Sequence, residues 1–526
     1  MLVEFKVFRF DPSIDSQPYY ESYKINAEKE TKVLDGLIYI KENLSKSLSF
    51  RRSCREGACG SCTMRINKIS RLACKTHIIE VLDKKTNSVL IEPLDHLPII
   101  KDLIVDIETF LQGISHVHPW RINDYSEENI EKPRIIDMNK LLKTIEAKTC
   151  ILCGACYSDC NVIDVDRTFV GPAAMVKIAR FMSDPCDLHD GRLRSAIDLG
   201  LFKCPIDQEC EIACPRDIDI RRGIVEWLRY KCAKEGVGPL PTHRRLVENV
   251  LNTGGVVPVQ KTPAFQLFPE YNKEFEGEPQ AKVVLFTGCI INRRQQDTCR
   301  AIIDIFQKNR VIVHLPHTQT CCGSPFLRTG QKDSMKPFVE KNFSLFNEYA
   351  EKGIPHIVTS CSGCNSTFRF DYPKLAKEYN IPINFEIYDI GEYMAKKIKL
   401  NTEGLKEISL KIMYHYPCHI KASKLEEEIY LDLIQKIPGI TLEHVSKSGL
   451  CCGGGGGVRS AYPDIADKLA LRRIEIAKEH GVKGLVTNCP FCIMSFERVL
   501  NLKEEKGEDM GFKIYDFYHL FSQAYK

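Results

Sequence analysis

Apolar and polar positions alternate with a period of two through Met1-Leu-Val-Glu-Phe-Lys-Val-Phe, and again from Tyr19 to Ile25. The chain is therefore expected to open on half-buried strands, Val3 to Phe10 and Tyr19 to Ile25, followed by helical spacing over Val33 to Leu44. Residues 1–110 read as a mixed sheet-and-helix domain. From 111 to 240 the spacing turns helical, predicting helices at Met138 to Lys148, Ala173 to Met182, Leu193 to Leu199 and Arg221 to Lys234. Between 241 and 280, Gly254-Gly255, Pro258, Pro263, Pro269 and Gly277 interrupt any period, which predicts an ordered linker or long connection.

The remaining half is an internal repeat. Short apolar strands, Val283 to Phe286 and Ile357-Val-Thr in one copy, Ile412 to Tyr416 and Leu485-Val-Thr in the other, alternate with helices such as Ile465 to Lys478. Each copy carries five cysteines in one order: Cys289, Cys321-Cys322-Gly323 and Cys361-x2-Cys364, then Cys418, Cys451-Cys452-Gly453 and Cys489-x2-Cys492. The equal spacing sets two modules, 281–400 and 401–526. Ligands delivered at the carboxyl ends of strands fit an open α/β sheet.

Cysteine is the residue that changes the picture, with 24 in a chain of 526. They fall in C-x2-C clusters and adjacent pairs, which points to metal thiolates in a reducing compartment rather than to disulfides. Adjacent cysteines suit a cluster edge better than a disulfide. Cys54, Cys59, Cys62 and Cys74 have the C-x4-C-x2-C plus distant C spacing of a plant-type 2Fe-2S site. Gly57, Ala58, Gly60 and Ser61 let that loop close and aim backbone N–H groups at sulfur.

Cys150, Cys153, Cys156 and Cys160 follow C-x2-C-x2-C-x3-C, and Cys204, Asp207, Cys210 and Cys214-Pro215 repeat that spacing with one cysteine replaced by aspartate. Such runs cross, each sending its fourth thiolate to the other cluster, an arrangement that a structural zinc pair does not need. The replaced position leaves either an empty corner, a 3Fe-4S cluster, or a 4Fe-4S cluster weakly held by Asp207.

Net charge is +4 and unclustered, which argues against a nucleic-acid partner. The hydrophobic share of 44% and charged share of 27% are ordinary for globular protein. No apolar run approaches the roughly 20 residues of a membrane span, and the amino terminus alternates like a strand, so a cytoplasmic protein without an integral membrane segment is expected. So many thiolate sites also suggest an anaerobe.

Arg51-Arg-Ser-Cys-Arg-Glu-Gly-Ala-Cys-Gly-Ser-Cys62, Leu72-Ala-Cys74, Glu92-Pro-Leu, Ile100-Lys-Asp-Leu103, Phe169-Val-Gly-Pro172 and the two runs closely resemble the iron-sulfur subunits of succinate dehydrogenase and fumarate reductase, through about residue 240. The resemblance implies a β-grasp 2Fe-2S ferredoxin domain over 1–110 and an α-helical two-cluster ferredoxin domain over 111–240. It implies a 4Fe-4S cluster on Cys150, Cys153, Cys156 and Cys214, and a 3Fe-4S cluster on Cys160, Cys204 and Cys210. A separate FAD-containing flavoprotein subunit would be the partner. Quinone-linked members carry Pro-Ser and paired tryptophans after the cysteine matching Cys160, and a histidine after that matching Cys204. This chain has Asn161-Val-Ile-Asp-Val165 and Pro205, and its only tryptophans are Trp120 and Trp227, so the quinone pocket is expected to be missing.

The C-terminal half resembles the duplicated cysteine-rich domain of the catalytic subunit of methanogen heterodisulfide reductase, and more loosely glycolate oxidase subunits. In the reductase each complete five-cysteine set holds a noncubane 4Fe-4S cluster. Both sets are complete here, implying two such clusters and making Cys289, Cys321, Cys322, Cys361, Cys364, Cys418, Cys451, Cys452, Cys489 and Cys492 the catalytic set. Joined, the halves resemble the thiol:fumarate reductase iron-sulfur subunits. That resemblance implies an oxidoreductase that converts coenzyme M and coenzyme B thiols to the heterodisulfide and passes electrons to FAD for fumarate reduction. The expected class is multidomain α+β, ending in a duplicated α/β domain. The alternative is a quinone- or quinol-linked subunit whose C-terminal half associates with a membrane, for which Tyr430 to Ile437 is the weak amphipathic candidate.

Cys186, Cys232 and Cys299 remain outside the sets and read as plain buried thiols. Arg293, Arg294, Arg300 and Arg459 are candidates for sulfonate and phosphate groups, against the plainer reading of solvated charge. His419 is either a proton donor or a packing residue. Gly453 to Gly457 lacks the Lys-Ser/Thr ending of a phosphate loop and is expected to let backbone approach a cluster or substrate.

Overall fold

The computed structural model describes residues 1–123, 138, 146–422, 425–426, 428–443 and 451–525. It divides into two compact units: Met1–Leu201 with Gln208–Val237, and Phe202–Asp207 with Gly238–Lys526.

In the first unit, β1 (Leu2–Arg9), β2 (Tyr19–Asn26), β3 (Thr63–Ile66), β4 (Ile69–Leu72) and β5 (Ser88–Glu92) form one sheet in the order β2-β1-β5-β3-β4. β1 runs parallel to β5 and antiparallel to β2. The alternation in β1 buries Val3, Phe5 and Val7 against Val33, Leu34 and Leu37 of the helix Val33–Tyr39, which continues in wider turns over Ile40–Leu44. This is the β-grasp arrangement. A small hairpin, β6 (Ile99–Lys101) and β7 (Ile104–Val105), follows it.

Helices Pro172–Met182, Arg192–Asp198 and Trp227–Lys234, the last preceded by wider turns at Ile220–Glu226, make the rest of this unit. Each lies within a residue of its expected position at most boundaries, whereas the helix expected at Met138 to Lys148 falls mostly outside the described residues, of which 146–148 are helical. The sheet domain and the helices are sewn together at Ser70, whose N–H and hydroxyl both donate to the Asp159 carboxylate, at 3.0 and 2.5 Å.

The second unit holds two sheets of one design. The first contains β8 (Tyr271–Asn272), β9 (Ala281–Phe286), β10 (Val311–His314), β11 (His356–Thr359) and β12 (Glu386–Asp389), in the order β12-β11-β9-β10-β8. The second contains β13 (Leu410–Tyr414), β14 (Ile440–Glu443), β15 (Gly484–Thr487) and β16 (Lys513–Asp516), in the order β14-β13-β15-β16. Apart from the antiparallel edge strand β8, every pairing is parallel, and both sheets reverse their winding beside the first strand of the module. Such strands are nearly all apolar because helices cover both faces.

Two expectations need correction. The segment read as a linker begins with a 13-residue helix, Pro241–Thr253, started by Pro241 and stopped by Gly254 in the left-handed conformation. Val247 and Val250 on its inner face join the core of the first module, and apolar spacing outweighs the conspicuous Pro and Gly residues around it. The candidate membrane-surface segment lies in the helix Glu428–Gln435, whose Ile429, Tyr430, Leu433 and Ile434 are buried core residues. Among the described residues no helix is long and apolar enough to cross a membrane.

Candidate functional site

All 24 cysteines lie among the described residues, and none forms a disulfide. Cys54, Cys59 and Cys62 sit on the loop before β3, Cys62 directly preceding it, and Cys74 lies just after β4. The backbone N–H groups of Glu56, Ala58 and Cys59 donate to Cys54 Sγ at 3.3–3.4 Å, and that of Ser61 donates to Cys59 Sγ at 3.5 Å. Hydrogen bonds from Ser61 and the Cys54 region pull the Cys59 thiol down to about 6, while burial pushes Cys62 up to about 12. A loop already aiming four N–H donors at sulfur fits a thiolate-held cluster. Gly60 adopts φ 73°, and a Cβ there would stand 2.8 Å from the Cys153 Cβ, so the loop of Cys54, Cys59 and Cys62 touches the run that begins at Cys150.

Cys150, Cys153, Cys156 and Cys214 line one small cavity of about 20 Å³, closed by Ala173, Val176 and Ile218. Burial pushes the Cys156 thiol well up and Cys153 to about 11. Four thiols gathered in an apolar lining suit a metal cluster, which would hold them as thiolates. Cys160 and Cys210 are buried in the same unit, whereas Cys204 and Asp207 belong to the segment that packs with the second unit.

In that second unit the ten cysteines converge. The first cysteine of each set follows the first strand of its module, the adjacent pair follows the second strand, and the C-x2-C starts a helix after the third. Parallel strands bring these three loops to one edge of the sheet. Cys322 and Cys364 approach to 3.1 Å between sulfurs. Cys361 and Cys489, the equivalent residues of the two modules, interact directly, so the two sets meet. Hydrogen bonds from Cys321 and Cys364 hold Cys322 down near 6, and those from Cys451 and Cys492 lower Cys452. Cys289 is pushed up by its contact with Cys321 and by burial. Ten thiols crowded in this way repel as thiolates unless cations sit among them, which is the condition an iron-sulfur cluster meets.

Nine of the ten, all but Cys451, line a cavity of about 360 Å³ whose other walls include Val256, Val257, Phe491 and Met494. The four candidate arginines separate here. Arg294 and Arg459 line the cavity, with Arg459 steadied by Ser495 Oγ at 3.3 Å. Arg293 instead donates to the carbonyls of Val257 and Thr253, and Arg300 stacks over Phe268 at 5.0 Å. His419 also lines the cavity, its Nδ1 3.3 Å from Cys418 Sγ.

The glycine run has a neighbour that its sequence did not announce. A Cβ at Gly455 would strike the Pro205 carbonyl, and one at Gly456 the Cys204 carbonyl. The Asp207 charge also helps raise Cys451, after hydrogen bonds with Cys418 and Cys452 and burial. The segment carrying Cys204 and Asp207 therefore lies against the second set. Cys186, Cys232 and Cys299 are buried, and burial lifts Cys232 and Cys299 to about 12.

Three family models match: a 2Fe-2S iron-sulfur cluster binding domain at residues 4–112, a 4Fe-4S dicluster domain at 146–218, and a cysteine-rich domain twice, at 283–369 and 412–497. The B subunit of fumarate reductase (CoM/CoB) from Methanothermobacter marburgensis is 31% identical over 541 residues, covering 100% of this chain and 99% of the relative. The chain belongs to that family. Its members are oxidoreductase subunits of the fumarate reductase type, and this chain carries their 2Fe-2S, 4Fe-4S and cysteine-rich domains. The fumarate reductase iron-sulfur subunit of Mycobacterium tuberculosis is 36% identical over 222 residues, 41% of this chain and 86% of its own. A crystal structure of a hypothetical protein from Helicobacter pylori shares the fold, with a TM-score of 0.64 at 12% identity over 100% of this chain and 95% of that one.

Proposed function

We propose that this chain is the iron-sulfur subunit of a thiol:fumarate reductase, which oxidises coenzyme M and coenzyme B thiols to their mixed disulfide while a flavoprotein subunit reduces fumarate to succinate. One observation carries the reading: two complete five-cysteine sets meet at a single cavity that also presents Arg294, Arg459 and His419. When bound, the clusters supply one-electron chemistry: two noncubane 4Fe-4S centres on the ten cysteines, a 3Fe-4S centre, and 4Fe-4S (Cys150, Cys153, Cys156, Cys214) and 2Fe-2S (Cys54, Cys59, Cys62, Cys74) centres toward the partner's FAD.

The chain's own residues do the rest. Arg294 and Arg459 hold the sulfonate and phosphate ends of the two thiols, where a charge-assisted contact is strongest away from water. Val256, Val257, Phe491 and Met494 exclude water from the paired sulfurs. His419 takes up a thiol proton as the thiolate forms. Each turnover removes two protons and two electrons from two thiols and delivers the same to fumarate, so the halves balance. Within each unit neighbouring ligand loops touch, Gly60 against Cys153 in the first and Gly456 against Cys204 in the second, which supports short steps between centres.

The test is anaerobic: the chain purified with its flavoprotein partner is given fumarate and both thiols, and free thiol is followed against succinate. Two thiols consumed per succinate supports the proposal. Fumarate reduced by a quinol or a dye with no thiol loss overturns it and leaves the quinone-linked alternative.

A further inference from the structure

The two modules are built alike but differ at one ring. Three residues before the first cysteine of each set stand Phe286 and His415, and four residues after the last stand Phe368 and Phe496. Phe286 meets Phe368 edge-on at 4.7 Å and 89°. His415 meets Phe496 edge-on at 4.8 Å and 86°. The fold thus asks for an aromatic ring at this place and is satisfied by benzene in the first module. Imidazole adds two nitrogens, and in a residue only 1% exposed neither has a hydrogen-bond partner. A buried polar atom without such a partner costs stability, so its retention calls for a ligand. What faces it is sulfur: a ring nitrogen of His415 and the sulfurs of Cys452 and Cys492 lie within 4.8 Å of one another. In the first module the corresponding ring, Phe286, belongs to the same buried core as Cys321, Cys322, Cys361 and Cys364, with no donor to give.

We propose that His415 is a positioning residue that donates an N–H to the sulfurs of the second cysteine set, so that the two C-terminal centres differ in potential, the second being the better electron acceptor. The inference rests on the reading that both sets hold clusters. A hydrogen bond to sulfur stabilises the reduced, more negative state over the oxidised one, which raises the midpoint. Electrons drawn from the two thiols then collect on the second module. That module is also the one whose glycine run touches the segment bearing Cys204.

The experiment uses the complete complex, purified anaerobically, and titrates each centre by electron paramagnetic resonance in the wild type, His415→Phe and Phe286→His. In His415→Phe, one C-terminal centre should lose about tenfold in its reduced-to-oxidised ratio at a fixed poise, about 59 mV for one electron, with the other centres unmoved. Phe286→His should move the other C-terminal centre upward. Protein with 15N-labelled histidine should show nitrogen coupling at one C-terminal centre that is lost in His415→Phe and kept in His419→Gln, since His419 Nδ1 also lies 3.3 Å from Cys418 Sγ. Unchanged midpoints with full iron content in His415→Phe, or no histidine coupling in the labelled wild type, overturns the inference. If iron and sulfide counts show the wild type to lack the two C-terminal centres, the cluster reading itself fails, and that is visible before any substitution is made.

Discussion

Around Cys150, Cys153, Cys156 and Cys214 the protein leaves about 20 Å³, and around the two five-cysteine sets about 360 Å³. Both regions present crowded thiols, yet their neighbours differ. The small site is walled by Ala173, Val176 and Ile218, with burial raising Cys153 and Cys156, so it has no room to admit a substrate. The large site adds Arg294, Arg459 and His419, and its thiols spread apart, with Cys322 held near 6 and Cys289 pushed up by Cys321 and by burial. Cysteine spacing says that iron can be held; the space and charge beside the thiols say whether anything else can enter.

The comparison breaks most visibly at the cysteines themselves. Cys489→Ser removes a residue shared by contact between the two sets, and thiol oxidation should fall at least a hundredfold while the 2Fe-2S signal of the first unit stays intact. Cys59→Ser should do the converse to the 2Fe-2S signal and leave the C-terminal centres in place. Loss of both signals in either variant, read by electron paramagnetic resonance, would mean that the regions are not separate sites. Arg459→Gln keeps a polar side chain but shortens it and removes the charge. A charge-assisted hydrogen bond of about 1.5–3 kcal/mol should then appear as a rise of roughly 10- to 100-fold in KM for one of the two thiols, with little change for fumarate.

Asp207→Cys should complete the second cysteine run. The expected outcome is disappearance of an oxidised-state 3Fe signal in favour of a fourth iron in that centre; its persistence would tell against the crossed-run reading. The smallest effect belongs to the helix Pro241–Thr253. Val250→Ala removes two buried carbons from the first module's core and should lower its stability by about 2 kcal/mol, measured by chemical denaturation. No change would return that segment to the status of a connection.

Periodicity was enough to locate β1, β2, the four repeated strands and the helices at Val33–Tyr39, Pro172–Met182, Arg192–Asp198, Trp227–Lys234 and Pro463–Glu479, because a period of two or 3.6 is written in local burial. It missed Pro241–Thr253, where flanking Pro258, Pro263 and Gly254-Gly255 masked a short apolar face. The repeat was legible because equal spacing of cysteines survives whatever fills the loops. Among the four candidate arginines the sequence could not choose, since Arg293 and Arg294 are neighbours that point to different places. His415 carried no motif of its own: its significance appears only when Phe286 and Phe368 are seen to make the same ring contact without nitrogen.

By itself the sequence determined the 2Fe-2S and 4Fe-4S domains, the duplication and the family, because thiolate spacing along a chain is a local, one-dimensional property of loops that must wrap an iron-sulfur core. Only the tertiary structure decided that the two sets meet at Cys361 and Cys489, that Arg294 and Arg459 share their cavity, and that Cys204 lies against Gly456. These residues are more than a hundred positions apart in the chain. Parallel strands gather the carboxyl-end loops of each sheet to one edge, and the packing of the two modules and of the Cys204 segment on one another brings those loops within reach.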